Sequence, residues 1–372
     1  MTGHGTERGT ERGRGSPSSG VPVVSTPSPE LTTVADHLVV IHDGVEVHRF
    51  DGLEPDTSHQ LEIVDPERGD RTVEARTLPR PPGELLCRIA TVNDVHFGET
   101  EAGRIDDHPE GPIQRAEPGE APYPETMNRG AVTEIAEIDP AAVIVKGDLS
   151  QDGTPDEWAA FEACYRGAFG DLLHVVRGNH DAYRGQTAYA GDQWIELPGV
   201  IVALLDTTIP ASATGTLSSD QLDWLDAHAA TADRPVLAMG HHQQWIASSG
   251  GSRSDAYFGL HPDPSDGLDE VIARRRAVLV YTAGHTHRHR VRRMIRSGVP
   301  SVEVGCTKDF PGTWAEYRVY EGGIMQVVHR ISTPEALAWS ERCRHLYSDF
   351  GVDYASYALG TLADRCFVLP NR

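Results

Sequence analysis

The sequence predicts a mixed α/β fold preceded by a small antiparallel β module. Over most of the 372 residues, strand-length runs of Val, Ile and Leu alternate with helical stretches, a pattern typical of sheets covered by layers of helices. A region before it shows short alternating apolar and polar runs separated by turn signals, which is typical of antiparallel strands. No apolar run approaches 18 residues, so a membrane span is not expected.

Two N-terminal parts precede the main domain. Residues 1–30 form a polar tail rich in Gly, Ser and Pro, and we expect it to be disordered because it buries too little apolar surface. Residues 31–80 contain the short strands, with a turn signal at Asp43-Gly44. This stretch resembles the second half of a fibronectin type III domain. We therefore predict a truncated module that braces its neighbour, with partner binding as the alternative.

The main α/β domain is predicted at residues 85–331, and a helical extension that packs on its core follows at residues 332–372. One helix has a clear start, because Thr154 can cap it, Pro155 suits its first position and Glu157 completes a capping box. Strands are predicted at 86–92, 142–145, 172–176, 200–205, 236–239, 277–281, 301–304, 317–320 and 324–328. Helices are predicted at 128–138, 155–169, 219–230 and 268–275, and long loops at 99–126 and 243–264.

Charge and cysteine content limit the partners and the compartment. With 33 Lys and Arg against 55 Asp and Glu, the net charge is −22, which disfavours duplex nucleic acid as a partner and nuclease as an activity. Bound divalent cations reverse the sign locally, so small phosphate esters are not excluded. The five cysteines occur singly, and the first 20 residues lack the apolar segment of a signal peptide. We predict a cytoplasmic protein with reduced thiols, and the sequence leaves the oligomeric state open.

Polar side chains with metal-binding capacity follow five of the predicted strands directly. Because open α/β sheets place their sites at the carboxyl ends of strands, we expect these side chains to lie together. They combine carboxylate, amide and imidazole groups without cysteine, a donor set that suits Mn, Fe, Zn or Co. Even if only seven of the ten side chains are ligands, they are too many for one ion and fit two ions that share a carboxylate. The side chains are Asp94, His96, Asp148, Asn179, His180, Asp181, His241, His242, His285 and His287.

The ordered motifs resemble those of the calcineurin-like metallophosphoesterase superfamily. They are DVH at 94–96, GDL at 147–149, GNHD at 178–181, HH at 241–242 and GHTH at 284–287. Within that superfamily, GDLSQDG at 147–153 resembles the branch of bacterial cyclic-nucleotide and glycerophosphodiester phosphodiesterases. The resemblance implies a four-layer α/β/β/α sandwich and a centre of two divalent or mixed-valence metal ions.

The resemblance also implies a role for each site residue. A hydroxide that bridges the ions would attack phosphorus, His180 would donate a proton to the leaving group, and Asp181 would orient the His180 ring. Many relatives have a proline after the fourth-motif histidines, whereas this chain continues with glutamines, and we prefer His241 over His242 as the ligand. The first ion would take Asp94, His96 and His287, the second Asn179, His241 and His285, and Asp148 would bridge both.

Residues outside these motifs are weaker candidates. Three are candidates for substrate contact because they lie in loops, namely Arg184, Arg253 and Tyr257. Trp245 and Phe258 are expected either to stack on a base or sugar or to pack their loop. We expect His289 to be exposed and Lys146 to be structural.

The predicted function is hydrolysis of phosphate esters, specifically that of a phosphodiesterase acting on a small substrate. The alternative within the same chemistry is a phosphomonoesterase acting on small metabolites or phosphoproteins. A non-catalytic, metal-stabilised scaffold is a third hypothesis. It is disfavoured because all seven ligands and His180 are present.

Overall fold

The N-terminal module consists of two small antiparallel sheets. The computed structural model describes residues 29–105, 108, 110–247 and 252–372, so nearly all of the tail predicted to be disordered at 1–30 lies outside the described residues. The first sheet contains β1 (Glu30–Val34), β2 (Leu38–Asp43) and β3 (Glu46–Asp51), and the second pairs β4 (Ser58–Ile63) with β5 (Arg71–Arg76). Alternate apolar side chains of both sheets form one small core.

The main domain contains two six-stranded sheets. In the first, β6 (Leu85–Val92), β7 (Ala142–Lys146) and β8 (Leu173–Val176) are parallel. β15 (Thr313–Tyr320), β16 (Gly323–Arg330) and β17 (Phe367–Pro370) extend that sheet antiparallel from β6. In the second, the parallel strands are β10 (Val200–Leu205), β11 (Val236–Gly240), β12 (Val278–Ala283) and β14 (Pro300–Glu303). β9 (Gln193–Leu197) and β13 (Arg290–Arg293) form its antiparallel edges.

Helices cover the outer face of each sheet, which confirms the predicted four-layer arrangement. One apolar cluster lies between the first sheet and its helices, a second lies between the two sheets, and a third lies between the second sheet and its helices. The helices on the first sheet are α1 (Tyr123–Glu137), α2 (Pro155–Phe169) and α5 (Pro334–Arg342), and those on the second are α3 (Ser219–Thr231) and α4 (Pro262–Arg274). Two short helices follow α5, namely α6 (Tyr354–Leu359) and α7 (Leu362–Arg365).

Several boundaries differ from the prediction. α2 starts as predicted, with Thr154 and Glu157 forming the capping box. α1 starts five residues earlier than predicted and α4 six residues earlier. Each helix begins with a first turn that contains proline, and the prediction, based on the spacing of apolar residues, left that turn out. The edge strands β9 (QWIEL) and β13 (RVRR) were not predicted, because each is short and polar or charged side chains interrupt its apolar residues. The C-terminal extension ends in a strand, β17, which pairs with the open edge of β16, so it is not purely helical.

The N-terminal module packs directly on the main domain. Its second apolar surface joins Met325 and Val327 of β16. The Thr33 hydroxyl donates to the Val328 carbonyl at 2.7 Å, which fixes β1 against the same strand. The Arg365 guanidinium donates to main-chain carbonyls of β1, so the module also contacts the C-terminal extension. Among the described residues, no helix is long and apolar enough to cross a membrane.

Candidate active site

Seven predicted ligand residues lie at the carboxyl ends of five parallel strands. Asp94 and His96 follow β6, Asp148 follows β7 and Asn179 follows β8 in the first sheet, while His241, His285 and His287 follow β11 and β12 in the second. Five of them have positive φ angles, between 45° and 69°. Left-handed backbone is costly for residues with a Cβ. Five such residues at one site indicate that the fold accepts backbone strain here in order to position these side chains. These five are Asp94, His96, Asp148, His285 and His287.

Two side-chain clusters meet at Asp148. In the first, ligand atoms of Asp94, His96 and His287 lie within 4.8 Å of one another. In the second, His241 Nε2 lies 2.9 Å from Asn179 Oδ1 and 3.3 Å from Asp148 Oδ2. The same Asp148 oxygen is 3.5 Å from His96 Nε2. Asp148 Oδ2 is therefore placed to be shared by both clusters.

Hydrogen bonds fix which nitrogen each histidine presents to the site. His241 Nδ1 donates to the Lys146 carbonyl at 2.9 Å, and His96 Nδ1 donates to the Gln151 side-chain oxygen at 3.1 Å. Both rings therefore direct Nε2 toward Asp148, as expected of metal-binding imidazoles whose other nitrogen is hydrogen-bonded. Lys146, predicted to be structural, is buried and its Nζ donates to the Thr282 hydroxyl.

Buried ring nitrogens without partners make the site suitable for metal ions. His96 Nε2 and His285 Nε2 are inaccessible to solvent and have no hydrogen-bond partner. Such buried atoms are rarely left unsatisfied, and a metal bond would satisfy both. The donor set of two carboxylates, one amide and four imidazoles, without a thiolate, fits two divalent ions of the Mn, Fe, Zn or Co type.

The protonation states of Asp148 and His285 agree with metal binding. Burial opposes ionisation of Asp148, but the nearby imidazoles of His241 and His180 hold the pKa of its carboxyl well below the usual value. Burial and the neighbouring His241 lower the pKa of His285 to about 3, so this ring is neutral at pH 7. The site thus offers ionised carboxylates beside a neutral imidazole, the forms that bind metals.

His180 lies at the edge of the clusters with its ring orientation fixed. Its Nδ1 donates to the Gln151 main-chain carbonyl at 2.8 Å, and its ring centroid is 4.5 Å from that of His96. Its main-chain N–H donates to Asp148 Oδ1 at 2.9 Å. Gln151, to which the sequence assigned no role, therefore positions both His180 and His96.

Asp181 differs from the prediction that it orients the His180 ring. Its carboxylate accepts hydrogen bonds at 2.6–3.0 Å from the main chain and hydroxyl of Ser150 and from the N–H groups of Leu149 and Gly178. The turn after β7 is thereby joined to the turn after β8. Burial raises the pKa of this carboxyl. Asp181 supports the two turns that carry Asp148 and Asn179, and the Gln151 carbonyl orients the His180 ring.

The other two histidines of these loops, His242 and His289, have different surroundings. His242 Nδ1 lies 2.8 Å from the Thr207 hydroxyl, its Nε2 is buried without a hydrogen-bond partner, and ligand atoms of His241, His242 and His285 lie within 4.8 Å of one another. His241 is nevertheless the one placed 3.3 Å from Asp148 and 2.9 Å from Asn179, which favours His241 as the ligand. His289 is buried rather than exposed as predicted. Its Nδ1 accepts from the Gly305 N–H and its Nε2 lies 3.2 Å from the Thr313 hydroxyl, so buried partners satisfy the ring directly before β13.

A cavity of about 1160 Å³ opens over the two clusters, and its lining corrects the predicted substrate contacts. Arg184, Arg253 and Tyr257 are not among its lining residues. Arg184 pairs with Asp152, and Arg253 pairs with carboxylates of α4 and lies over the ring of Trp245. Tyr257 faces the β13 arginine Arg292. Loop position alone did not reveal these local partners.

Much of the cavity is lined by residues that the sequence analysis did not assign to substrate binding, together with Phe258, which it considered. Lys308 is one of only two lysines in the chain, and its Nζ lies 2.5 Å from both Glu99 carboxylate oxygens. Phe258 was considered for stacking, and its ring stacks on that of His285 with centroids 4.0 Å apart. The C-terminal extension contributes Tyr347, Phe350, Val352, Tyr354 and Tyr357. A dense run of aromatic residues is the one signal that marked this segment.

A two-sheet α/β/β/α sandwich with Asp, Asn and His side chains gathered at its strand ends defines the metallophosphoesterase class of hydrolases. A family model described as calcineurin-like phosphoesterase matches residues 87–289, which is more than half of the chain. The chain therefore belongs to the calcineurin-like phosphoesterase family, which confirms the resemblance seen in its motifs.

Proteins similar to this chain include two curated proteins and a solved structure. A probable cyclic nucleotide phosphodiesterase of Rhodococcus erythropolis is 32% identical over 116 residues, covering 27% of this chain and 38% of that protein. The 3',5'-cyclic adenosine monophosphate phosphodiesterase CpdA of Pseudomonas aeruginosa is 31% identical over 130 residues, covering 32% and 47%. The chain thus spans less than half the length of these curated relatives. A dimetal phosphatase from Danio rerio has the same fold, with TM-score 0.52, 16% identity, and coverage of 67% of this chain and 98% of that one.

Proposed function

We propose that this protein is a metal-dependent phosphodiesterase acting on a small substrate. The observation that carries the proposal is the convergence of two ligand clusters on Asp148 Oδ2, with His180 beside them at the open cavity. Two curated relatives are described as cyclic nucleotide phosphodiesterases, which supports the diester assignment.

The proposed ligand assignment follows the two clusters. When bound, two divalent ions supply positive charge at the phosphoryl oxygens and lower the pKa of water. Asn179 is oriented for this role, because its amide nitrogen donates to the Tyr183 hydroxyl at 2.6 Å and its Oδ1 then faces His241. We assign one ion to Asp94, His96 and His287 and the other to Asn179, His241 and His285, with Asp148 shared.

His180 is proposed as the proton donor to the leaving-group oxygen. Since Nδ1 carries the proton donated to the Gln151 carbonyl, Nε2 is the atom available for proton transfer. His180 is only partly buried and lines the cavity, so a leaving group can reach it. Asp181 supports the loop and does not take part in the transfer.

Charge in the cavity favours a diester over a monoester. The two cationic side chains that line it among the described residues, Lys308 and Arg104, are paired with Glu99 and Glu101. A dianionic monoester needs more positive charge than a monoanionic diester. Phosphomonoesterase activity is therefore the second candidate.

Two ester substrates and one variant test the proposal. With Mn²⁺ present, bis(p-nitrophenyl) phosphate should be hydrolysed with a higher kcat/KM than p-nitrophenyl phosphate. For a diester whose leaving group is an alkoxide, such as a cyclic nucleotide, His180→Ala should lower kcat by about 10²-fold or more while two ions remain bound, whereas p-nitrophenolate leaves without a proton and does not report this loss. The reverse order of the esters would favour the monoesterase, and unchanged kcat in the variant would exclude His180 as the acid. No hydrolysis of either ester would favour the scaffold.

The cellular setting is proposed on chemical grounds. All five cysteines are free thiols, and three of them are buried. This fits the predicted reducing compartment, and we propose a cytoplasmic location.

A further inference from the structure

Exposed apolar side chains are concentrated in the active-site cavity. Of twelve large apolar side chains exposed in the described part of the chain, five line this single cavity. Large apolar groups that remain exposed together mark a binding surface more often than isolated ones do. The five are Ile105, Phe258, Phe350, Val352 and Tyr357, with exposed fractions of 37–53%.

Three of these five belong to the C-terminal extension, beyond the segment that matches the family model. We call Tyr347, Phe350, Val352, Tyr354 and Tyr357 the aromatic wall. The family match ends at residue 289, so the wall is not part of the shared core. The aromatic wall is accordingly a feature of this chain outside the matched family segment.

Hydrogen bonds hold the aromatic wall at a fixed position relative to the proposed ligands. The Tyr357 hydroxyl donates to the carbonyl of Thr286, which lies between His285 and His287, at 3.1 Å. The Tyr354 hydroxyl donates to Asp309 Oδ1 at 2.9 Å. A substrate group that contacts the wall is therefore held at a fixed position relative to the proposed metal ligands.

The charge beyond the metal clusters is unsuitable for a second phosphate. Four carboxylates, Glu99, Glu101, Asp152 and Glu157, line this part of the cavity, against two cations, Arg104 and Lys308. Both cations are already paired with carboxylates of the same set. An additional phosphate would meet net negative charge, whereas an uncharged ring would meet apolar surface.

We propose that the aromatic wall is a binding subsite for an uncharged, planar, apolar alcohol carried by the phosphodiester. This inference rests on the proposed phosphodiesterase function. Phe350 and Val352 contribute apolar contact area to the ester's spectator group, the one that does not leave. Diesters whose spectator group carries a further phosphate are disfavoured by the carboxylates around the cavity.

Two diesters with the same leaving group test the subsite in the metal-loaded enzyme. Phenyl p-nitrophenyl phosphate and methyl p-nitrophenyl phosphate both release p-nitrophenolate and differ only in the spectator group. We expect wild-type kcat/KM to favour the phenyl ester by about tenfold, mainly through KM. Phe350→Ala should reduce this phenyl-to-methyl ratio to near one, and Val352→Ala should reduce it in part.

Ile295→Ala is the matched control, because Ile295 is an exposed apolar residue that does not line the cavity. It should leave the ratio unchanged. A ratio that is the same in wild type, Phe350→Ala and Val352→Ala would overturn the subsite while the diesterase function stands. No release of p-nitrophenolate from either ester would overturn the proposed function and the subsite with it. Because the ratio compares two esters in one variant, a general loss of folded protein cancels.

Discussion

Gln151 orients two histidines of the site at once. Its side-chain oxygen accepts from His96 Nδ1, and its main-chain carbonyl accepts from His180 Nδ1. The two rings therefore present Nε2, which is the proposed metal-binding atom of His96 and the proposed proton-transfer atom of His180. A side-chain substitution separates these roles, because it removes only the first hydrogen bond.

Gln151→Ala should lower the affinity for metal ions more than it lowers kcat. Loss of the His96 hydrogen bond is expected to lower metal affinity by about 10–100-fold, as for other groups that orient metal ligands. At saturating metal, kcat should remain close to wild type because His180 keeps its carbonyl partner. Metal titrations followed by activity measure both quantities, with Gln193→Ala as the control, since the Gln193 side chain bonds the Val175 carbonyl and is not among the cavity-lining residues. A fall in kcat at saturating metal with unchanged affinity would contradict this division.

Asp181→Asn should act on stability first. The amide cannot accept all the hydrogen bonds that Leu149, Ser150 and Gly178 donate to the carboxylate, so some buried donors lose their acceptor. We expect the free energy of unfolding to fall by about 2–3 kcal/mol in urea denaturation. The pH profile of the remaining activity should not shift. A shifted profile with unchanged stability would instead support direct orientation of His180.

At the residue scale, sequence reasoning located side chains that follow strands directly. Asp94, Asp148 and His241 could be placed because each lies within two residues of a buried parallel strand, and parallel strands end at one edge. Arg184 and Arg253 could not be placed, since their positions depend on carboxylate partners from distant segments. The role of the Gln151 carbonyl depends on main-chain geometry, which residue type does not reveal.

At the scale of elements, a buried charge cluster joins β15 to its neighbours. Glu316 on β15 accepts from Arg318 at 2.9 Å and lies 3.0 Å from His329 Nε2 on β16. Arg88 of β6 contacts its other oxygen at 3.2 Å. Burial opposes ionisation, but the hydrogen bonds from His329 and Arg318 lower the pKa of Glu316 to about 2.

Glu316→Gln should be destabilising at neutral pH and less destabilising in acid. A carboxyl whose pKa falls from 4.5 to about 2 on folding contributes about 3 kcal/mol above pH 4.5, and this contribution is lost as pH falls toward 2. Urea unfolding at pH 7 and pH 3 should therefore show a smaller difference between wild type and variant at pH 3. Glu62→Gln, an exposed position on β4, is the control. The same difference at both pH values would contradict this account.

Element boundaries were predictable where local signals agree with packing. The capping box of α2 fixed its start, whereas β17 depends on an open edge of β16 that only the assembled sheet provides. The arginine-rich edge strand β13 is stabilised by ion pairs between its arginines and Glu303 on β14. Such pairing across strands is not visible in the hydrophobic pattern.

At the scale of the whole molecule, the charge of −22 and the proposed metal centre are compatible. The negative charge is spread over the surface, while two divalent ions would offset the carboxylates of Asp94 and Asp148 locally. The C-terminal extension connects the N-terminal module to the active-site cavity, because Arg365 bonds β1 and the aromatic wall lines the cavity. One C-terminal segment therefore contacts both the N-terminal module and the active-site cavity.

Metal content per chain tests the central claim most directly. Wild-type protein refilled with Mn²⁺ and freed of excess metal should contain two ions per chain by elemental analysis. Asp148→Asn should lose most of both, because the shared carboxylate belongs to both clusters, whereas Asp152→Asn, a cavity carboxylate outside the clusters, should retain two. One ion per chain in the wild type, or two ions retained in Asp148→Asn, would contradict the shared two-metal centre.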